Sequence, residues 1–124
     1  MDTPRKKTVL VIDDDPQMHD IYREALESES VHMISAGEGD EGIARARETK
    51  PDLILLDIML SSGLNGFDVL EQLKRDQSLV KIPVIVLTNL DSERKTAMEI
   101  GAADYIVKAN IAMDELVSKI MKYL

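Results

Sequence analysis

Short apolar runs recur along the chain, and three of them are apolar at nearly every position. They occupy residues 8–12, 53–56 and 84–87. A strand that is apolar on both faces is typical of a parallel sheet that helices cover on both sides, because neither face meets water. Weaker runs at residues 31–35 and 105–107 predict two further strands. The pattern therefore indicates a sheet of five strands.

Between the strands, apolar residues return every three or four positions, which is the period of an α-helix. After the first strand, Asp15 is a good helix cap and Pro16 suits the first helical position. The inward face of this helix is predicted to consist of Met18, Ile21, Tyr22, Ala25 and Leu26. Asn65 is predicted to cap the third helix. Strands and helices alternate throughout, so the predicted fold class is α/β, a doubly wound parallel sheet with helices on both faces.

The fourth and fifth helices have their own end signals. Asp91 or Ser92 is predicted to cap the fourth helix, and Gly101 lies where a left-handed C-terminal cap belongs. The inward face of the last helix is predicted to consist of Met113, Leu116, Val117, Ile120, Met121 and Leu124. No Gly/Ser-rich linker or repeat divides the chain. We therefore expect a polar leader over residues 1–7 and one domain over residues 8–124.

The composition narrows the classes of function. The chain has a net charge of −8, with 23 acidic against 15 basic residues, which disfavours binding to a nucleic-acid backbone. It has no cysteine, which excludes disulfides and thiolate metal sites and fits a reducing cytoplasm as the expected location. No apolar run approaches the length that spans a bilayer, so we expect no membrane partner.

Polar side chains stand where four of the predicted strands end. Asp13 and Asp14 follow the first strand, Asp57 the third, Thr88 the fourth and Lys108 the fifth. Functional sites of doubly wound sheets lie at the carboxyl ends of the strands, so we expect these side chains to share one site. Clustered carboxylates without cysteine or paired histidines favour a hard cation. Mg²⁺ typically binds one or two carboxylates, waters and a phosphoryl oxygen.

These side chains suit a phosphorylated aspartate. An aspartate can act as a nucleophile and form an aspartyl phosphate, provided that the charge of the incoming phosphoryl group is neutralised. Mg²⁺ and Lys108 would supply positive charge, and the Thr88 hydroxyl would hydrogen-bond a phosphoryl oxygen.

The same residues, in this order, resemble the receiver domain of two-component response regulators over almost the whole chain. The shared motifs are the Asp13-Asp14 pair, Asp57 after an apolar strand, Gly66-Phe67, Thr88, Gly101-Ala102-Ala103-Asp104-Tyr105 and Lys108. The resemblance implies a flavodoxin-like strand order of 2-1-3-4-5. It also implies a signalling domain that assists its own phosphorylation and dephosphorylation, and not a turnover enzyme.

The resemblance implies a role for each residue of the site. Asp57 is expected to accept the phosphoryl group, assisted by Thr88 and Lys108. The ligands of Mg²⁺, or of Mn²⁺ in its place, are expected to be Asp13, Asp14, Asp57 and the main-chain carbonyl of Met59. On phosphorylation, Thr88 is expected to move toward the phosphoryl group and Tyr105 to turn into the space that it leaves.

Partners also follow from the resemblance. The expected phosphodonor is a histidine kinase or a histidine phosphotransfer protein. A downstream protein or output domain is expected to bind helix four, strand five and helix five, with the protein a monomer or a phosphorylation-dependent dimer. The family ties the phosphoryl lifetime to the positions of Met59 and Leu90, and both are apolar here, which indicates a long-lived state. Ala109 replaces the usual proline, so the Lys108–Ala109 peptide bond is expected to be trans.

Two alternatives stay open. Asp13-x-Asp15 after a first strand also resembles the nucleophile motif of haloacid-dehalogenase-type phosphatases. Against this, Gln17 stands where that motif has Thr or Val, no late acidic pair follows, and the chain leaves no room for a cap domain. The second alternative is a receiver-like binding module that never carries phosphate, which the intact strand-end residues disfavour.

Overall fold

Five strands and five helices alternate along the part of the chain that the structure describes. The structure is a computed structural model, and it describes residues 6–61 and 63–124. The strands are β1 (Thr8–Ile12), β2 (His32–Ala36), β3 (Leu53–Leu56), β4 (Val84–Thr88) and β5 (Asp104–Val107). The helices are α1 (Pro16–Glu27), α2 (Gly39–Thr49), α3 (Gly66–Arg75), α4 (Arg94–Ile100) and α5 (Met113–Lys122).

All the strands pair in parallel, in the order β2-β1-β3-β4-β5. The expected class and strand order are therefore confirmed. Residues 1–5 of the predicted leader lie outside the described residues, whereas Lys6 and Lys7 are exposed.

Side chains alternate between the two faces of the sheet. On β1, Val9 and Val11 join a core that includes residues of α1 and α5. Leu10 and Ile12 join a second core that includes residues of α2, α3 and α4. Each face of the sheet thus has its own core, which explains why the central strands are apolar at nearly every position.

Two predicted helix starts are confirmed by their hydrogen bonds. The Asp15 carboxylate accepts the Gln17 N–H at 3.0 Å, and Pro16 is the first residue of α1. The Asn65 side chain accepts the Asp68 N–H at 3.0 Å at the start of α3. Each cap satisfies a backbone donor that the helix itself leaves free.

The end of α4 and the entry to α5 also follow the sequence. Gly101 has a φ of 130°, a conformation that side chains with a Cβ rarely adopt, as expected for its place after α4. No cis peptide bond occurs in the described ranges, so the Lys108–Ala109 bond is trans, as predicted. Lys108–Asn110 form a single turn of 3-10 helix that leads toward α5.

β2 begins one residue later than predicted. The Val31 N–H donates to the Leu26 carbonyl at 3.0 Å, so this residue closes the end of α1. The first pair between β1 and β2 is Thr8 with His32. Val31 is buried even though it lies before the strand. A buried valine at this position has the same apolar character as a strand residue, which is why the sequence predicted that the strand begins there.

The predicted cap of α4 was wrong. Neither Asp91 nor Ser92 caps the helix, which begins at Arg94 after Glu93, without a side-chain hydrogen bond at its first turn. The Ser92 hydroxyl instead donates to the Glu93 carboxylate at 3.5 Å. Its oxygen is thus directed at a neighbouring side chain and not at a helix N–H.

The predicted inward faces of α1 and α5 were too broad. Only the centre of each face is buried, at Tyr22, Leu26, Leu116 and Ile120. Ile21 is 46% exposed and Met121 is 38% exposed. On each helix the apolar face is wider than the part that packs against the sheet. Both residues lie at the edge of that face, outside the packed part.

Candidate functional site

An ion cluster lies at the carboxyl ends of β1, β3 and β5. The Lys108 Nζ donates to Asp13 Oδ2 at 2.7 Å and to Asp57 Oδ2 at 2.9 Å. The three side chains are 16%, 3% and 8% exposed, respectively, so most water is excluded from the pairs. Lys108 is separated from Asp13 by 95 residues in sequence, so it is the folding of the sheet that brings them together.

Main-chain donors hold the other oxygens of the two buried acids. Asp13 Oδ1 accepts the Asp15 N–H at 3.0 Å, and Asp57 Oδ1 accepts the Met59 N–H at 2.8 Å. These bonds fix the orientation of each carboxylate, so that its second oxygen is directed at the Lys108 ammonium. Both acids are therefore held in place before any ligand binds.

The charge of Lys108 is stabilised by its surroundings. Burial opposes the charged form of the ammonium, yet the hydrogen bonds and charges of Asp13 and Asp57 outweigh it and hold the pKa of Lys108 above its ordinary value. The group therefore stays a cation throughout the physiological range of pH.

Asp14 is the most exposed of the three acids at the strand ends. Its Oδ2 accepts the Ser61 N–H at 3.0 Å. Hydrogen bonding to Ser61 lowers the pKa of Asp14, and its slight burial acts the other way. This carboxylate is therefore ionised and directed toward the loop after β3.

The three acids together form a group that could hold a metal ion. Asp13, Asp14 and Asp57 each offer a carboxylate oxygen, and these oxygens lie within 4.8 Å of one another. An all-oxygen donor set fits Mg²⁺ or Mn²⁺ better than a soft transition metal. The residues thus suit the ion that the sequence predicts. Met59, whose carbonyl is the further expected ligand, lies two residues after Asp57 and is 51% exposed.

Thr88 and Tyr105 are linked through the main chain of one residue, Leu90. The Thr88 hydroxyl oxygen is fully buried and accepts the Leu90 N–H at 3.4 Å. The Tyr105 hydroxyl donates to the carbonyl of the same residue, Leu90. Tyr105 is only 2% exposed, so its ring already lies inward, in the position that the resemblance implies for the switched form.

Arg94 adds a contact that the sequence did not predict. Its guanidinium donates to the Tyr105 carbonyl at 2.8 Å and lies 5.3 Å from the centroid of the Tyr105 ring. Burial raises the pKa of the Tyr105 hydroxyl, which stays protonated and able to donate. The residue types alone do not predict the contact between Arg94 and Tyr105, because it depends on where α4 begins.

Two residues of α1 also approach the site. His19 Nε2 lies against the main-chain carbonyl of Asp13, and its Nδ1 is buried without a partner in the described ranges. Tyr22 is 3% exposed and lies on the α1 face that joins the core beside β1. The helical period places both residues one turn or more after Asp15, but it does not indicate that they approach the strand ends.

An acidic site at the strand ends of a 2-1-3-4-5 sheet defines a flavodoxin-like α/β domain, and comparison with known proteins gives the family. The family model described as the response regulator receiver domain matches residues 9–121. The chain therefore belongs to the receiver domains of response regulators, which are signalling domains of two-component systems. The resemblance inferred from the motifs is confirmed.

Relatives support this assignment over different shares of their length. The chain is 37% identical over 110 residues to the DNA-binding response regulator MtrA of Mycolicibacterium smegmatis, an alignment that covers 87% of this chain and 46% of MtrA. It is also 37% identical over 102 residues to protein PilH of Pseudomonas aeruginosa, which covers 81% of this chain and 84% of PilH. The chain thus spans less than half of MtrA but most of PilH.

A solved structure shows the same fold. The BeF3-activated N-terminal receiver domain of Klebsiella pneumoniae RstA superposes with a TM-score of 0.86 at 28% identity, covering 94% of this chain and 97% of that one. Within the described part of the chain, no helix is both long and apolar enough to cross a membrane.

Proposed function

We propose that Asp57 accepts a phosphoryl group from a phosphodonor in a Mg²⁺-dependent reaction. The observation that carries this proposal is the position of Lys108, whose Nζ lies 2.9 Å from Asp57 Oδ2 and is shared with Asp13. In the reaction an Asp57 oxygen attacks phosphorus, and the new O–P bond forms as the bond from phosphorus to the donor breaks. Lys108 is already in place to neutralise charge on the transferred group.

The metal ligands in this proposal are Asp13, Asp14, Asp57 and the main-chain carbonyl of Met59. When bound, Mg²⁺, or Mn²⁺ in its place, supplies positive charge that neutralises the phosphoryl oxygens and the crowded carboxylates. The residues of the chain orient the reacting groups. Main-chain N–H groups hold one oxygen of Asp13 and one of Asp57, and the Thr88 hydroxyl can donate to a phosphoryl oxygen once it turns from Leu90.

Signal transfer in this proposal runs through the main chain of Leu90. The Leu90 N–H donates to the Thr88 hydroxyl over a long distance, 3.4 Å, so this weak bond is readily lost when the Thr88 side chain turns to donate to a phosphoryl oxygen. A shift of the Leu90 main chain would move the carbonyl that accepts from the Tyr105 hydroxyl. Phosphorylation would then change the fraction of molecules in which the Tyr105 ring lies inward. This would alter the surface of α4, β5 and α5 that a downstream protein or output domain binds.

The proposal also names the partners and the extent of the domain. The phosphodonor is a histidine kinase or a histidine phosphotransfer protein, and the protein is a monomer or a phosphorylation-dependent dimer. Residues 8–124 form the receiver domain after a leader over residues 1–7. The phosphatase alternative gains no support, because Asp15, the second acid of that motif, caps α1 through the Gln17 N–H.

Phosphoryl uptake by the parent protein tests the proposal. The protein is incubated with acetyl phosphate in Mg²⁺ or in excess EDTA, and its intact mass is measured. We expect one phosphoryl adduct in Mg²⁺ and none in EDTA. An equal adduct in EDTA would contradict the metal site. No adduct from acetyl phosphate, a histidine kinase or a phosphotransfer protein would favour the binding module that never carries phosphate.

Mg²⁺ is expected to stabilise the fold and Asp14→Ala to remove this effect. An ion that binds only the native state adds about 2.7 kcal/mol to the free energy of unfolding at a hundredfold excess over its Kd. Urea unfolding with and without Mg²⁺ measures it. Asp20→Ala, at an exposed acid of α1 outside the cluster, is the matched control and should keep the full gain. A parent whose unfolding is indifferent to Mg²⁺ would show that the metal site is misassigned.

The phosphoryl group on Asp57 is expected to hydrolyse slowly. Met59 and Leu90 carry no group that can orient an attacking water. Met59→Asn or Leu90→Gln should shorten the lifetime about three- to tenfold, the effect of one added hydrogen bond in the transition state. Intact mass is followed over time after removal of the donor. Met98→Gln, at a 41% exposed site on α4, should leave the lifetime unchanged. If neither variant lost the phosphoryl group faster than the parent, the role of Met59 and Leu90 in the phosphoryl lifetime would be refuted.

A further inference from the structure

The Tyr22 hydroxyl lies near the ion cluster and has no hydrogen-bond partner among the described residues. Its side chain is 3% exposed, and no described residue accepts or donates a hydrogen bond at its phenol. The hydroxyl of a tyrosine whose ring is buried usually finds a hydrogen-bond partner, and a bound water can serve as that partner. The packing of the ring alone does not explain a tyrosine in place of phenylalanine at this position.

Lys108 has a donor to spare. Its ammonium carries three N–H groups, of which one donates to Asp13 and one to Asp57. No other described residue accepts the third. Since the Lys108 side chain is only 16% exposed, access of bulk water to this third donor is limited.

Tyr22 and Lys108 line the same small cavity. Its volume is about 60 Å³, and its other walls are the apolar side chains of Met18, Leu87, Ile111, Met113 and Leu116. The space is large enough for a water molecule, which would need polar partners, and among the lining residues only Tyr22 and Lys108 have polar side chains.

The electrostatics of Tyr22 agree with this arrangement. Burial raises the pKa of the Tyr22 hydroxyl to about 12, and the positive charge of Lys108 acts against this rise. The phenol is therefore neutral and within the field of the ammonium. A neutral phenol oxygen has lone pairs free to accept from a cation.

We propose that Tyr22 is a positioning residue for Lys108, accepting the third N–H of its ammonium through one water in the cavity. The consequence rests on the function proposed above. Lys108 is a flexible side chain, and it must stay at the strand ends when one of its two carboxylate partners becomes phosphorylated. A third bond from the α1 side would hold the ammonium there, next to the transferred group.

Removing only the Tyr22 hydroxyl tests the positioning role. Tyr22→Phe keeps the ring in the core, and the initial rate of phosphorylation by acetyl phosphate should fall about three- to tenfold, the effect of one hydrogen bond. Tyr123→Phe is the matched control, because it removes a hydroxyl that donates to the Ala103 carbonyl at 3.4 Å on an exposed residue. Its rate should equal that of the parent. An unchanged rate in Tyr22→Phe would overturn the positioning role.

A double-mutant cycle tests the contact without any phosphorylation. Tyr22→Phe is combined with Lys108→Met, and the urea midpoint is measured for all four proteins. We expect Tyr22→Phe to lower the midpoint in the parent and to have no effect in the Lys108→Met background. An equal effect in both backgrounds would show that the hydroxyl does not act on Lys108. If the parent takes up no phosphate, the proposed function fails while this cycle still decides the contact.

Discussion

Asp57→Asn is expected to abolish phosphoryl uptake completely. The substitution replaces the attacking oxygen by an amide of almost equal size, so the loss is chemical and not steric. It also leaves Lys108 with a neutral neighbour in place of the carboxylate 2.9 Å away. Intact mass after incubation with acetyl phosphate and Mg²⁺ should show the unmodified protein alone.

The control is an aspartate elsewhere on the same protein. Asp68→Asn makes the same chemical change at an exposed position in the first turn of α3, and its uptake should match that of the parent. A phosphoryl adduct that persists in Asp57→Asn would mean that another side chain is the acceptor. Peptide mapping of that adduct would identify it.

Gly66→Ala is expected to lower the free energy of unfolding by at least about 3 kcal/mol, since overpacking against rigid atoms is among the most damaging substitutions. A Cβ at this position would lie 2.1 Å from the Ile58 Cα and 2.6 Å from the Asp57 carbonyl oxygen. These are backbone atoms that follow β3, so no side-chain rotation relieves the clash. The Gly66 N–H also donates to the Ile58 carbonyl at 3.2 Å, which holds the two segments together. Urea unfolding measures the loss.

Gly37→Ala is the matched control for this substitution. A Cβ at residue 37 would meet nothing within 4 Å, so the same change of residue type should alter the free energy of unfolding by less than about 1 kcal/mol. If Gly66→Ala unfolded at the same urea concentration as Gly37→Ala, the close approach of α3 to the end of β3 would be wrong.

Much of the fold was predictable because the strongest signals in the chain are local. A strand buried on both faces must be apolar throughout, and residues 53–56 are. Asp15 and Asn65 cap helices through their own side chains, so sequence position alone locates them. The strand-end residues were predictable for a related reason. A parallel sheet brings the carboxyl ends of its strands to one edge, whatever the connections between them.

The remainder depends on tertiary contacts that residue types do not encode. Asp91 and Ser92 are good capping residues, yet α4 begins later, at Arg94. The exposure of Ile21 depends on how far the sheet extends beneath α1. The positions of Arg94 over Tyr105 and of Tyr22 beside Lys108 likewise follow from the packing of helices on the sheet. Periodicity gives the face of a helix but not the atom that a side chain on that face will reach.

The link between Thr88 and Tyr105 has a consequence for how the family can vary. Both bonds are made by the N–H and the carbonyl of Leu90, and neither involves its side chain. Any residue with an N–H, which means any residue except proline, can occupy position 90 without cutting this connection. In the function proposed above, the side chain at position 90 affects how long the phosphoryl group persists, while the main chain transmits the signal. Duration and transmission are thus separable traits at a single position, and one can evolve without loss of the other.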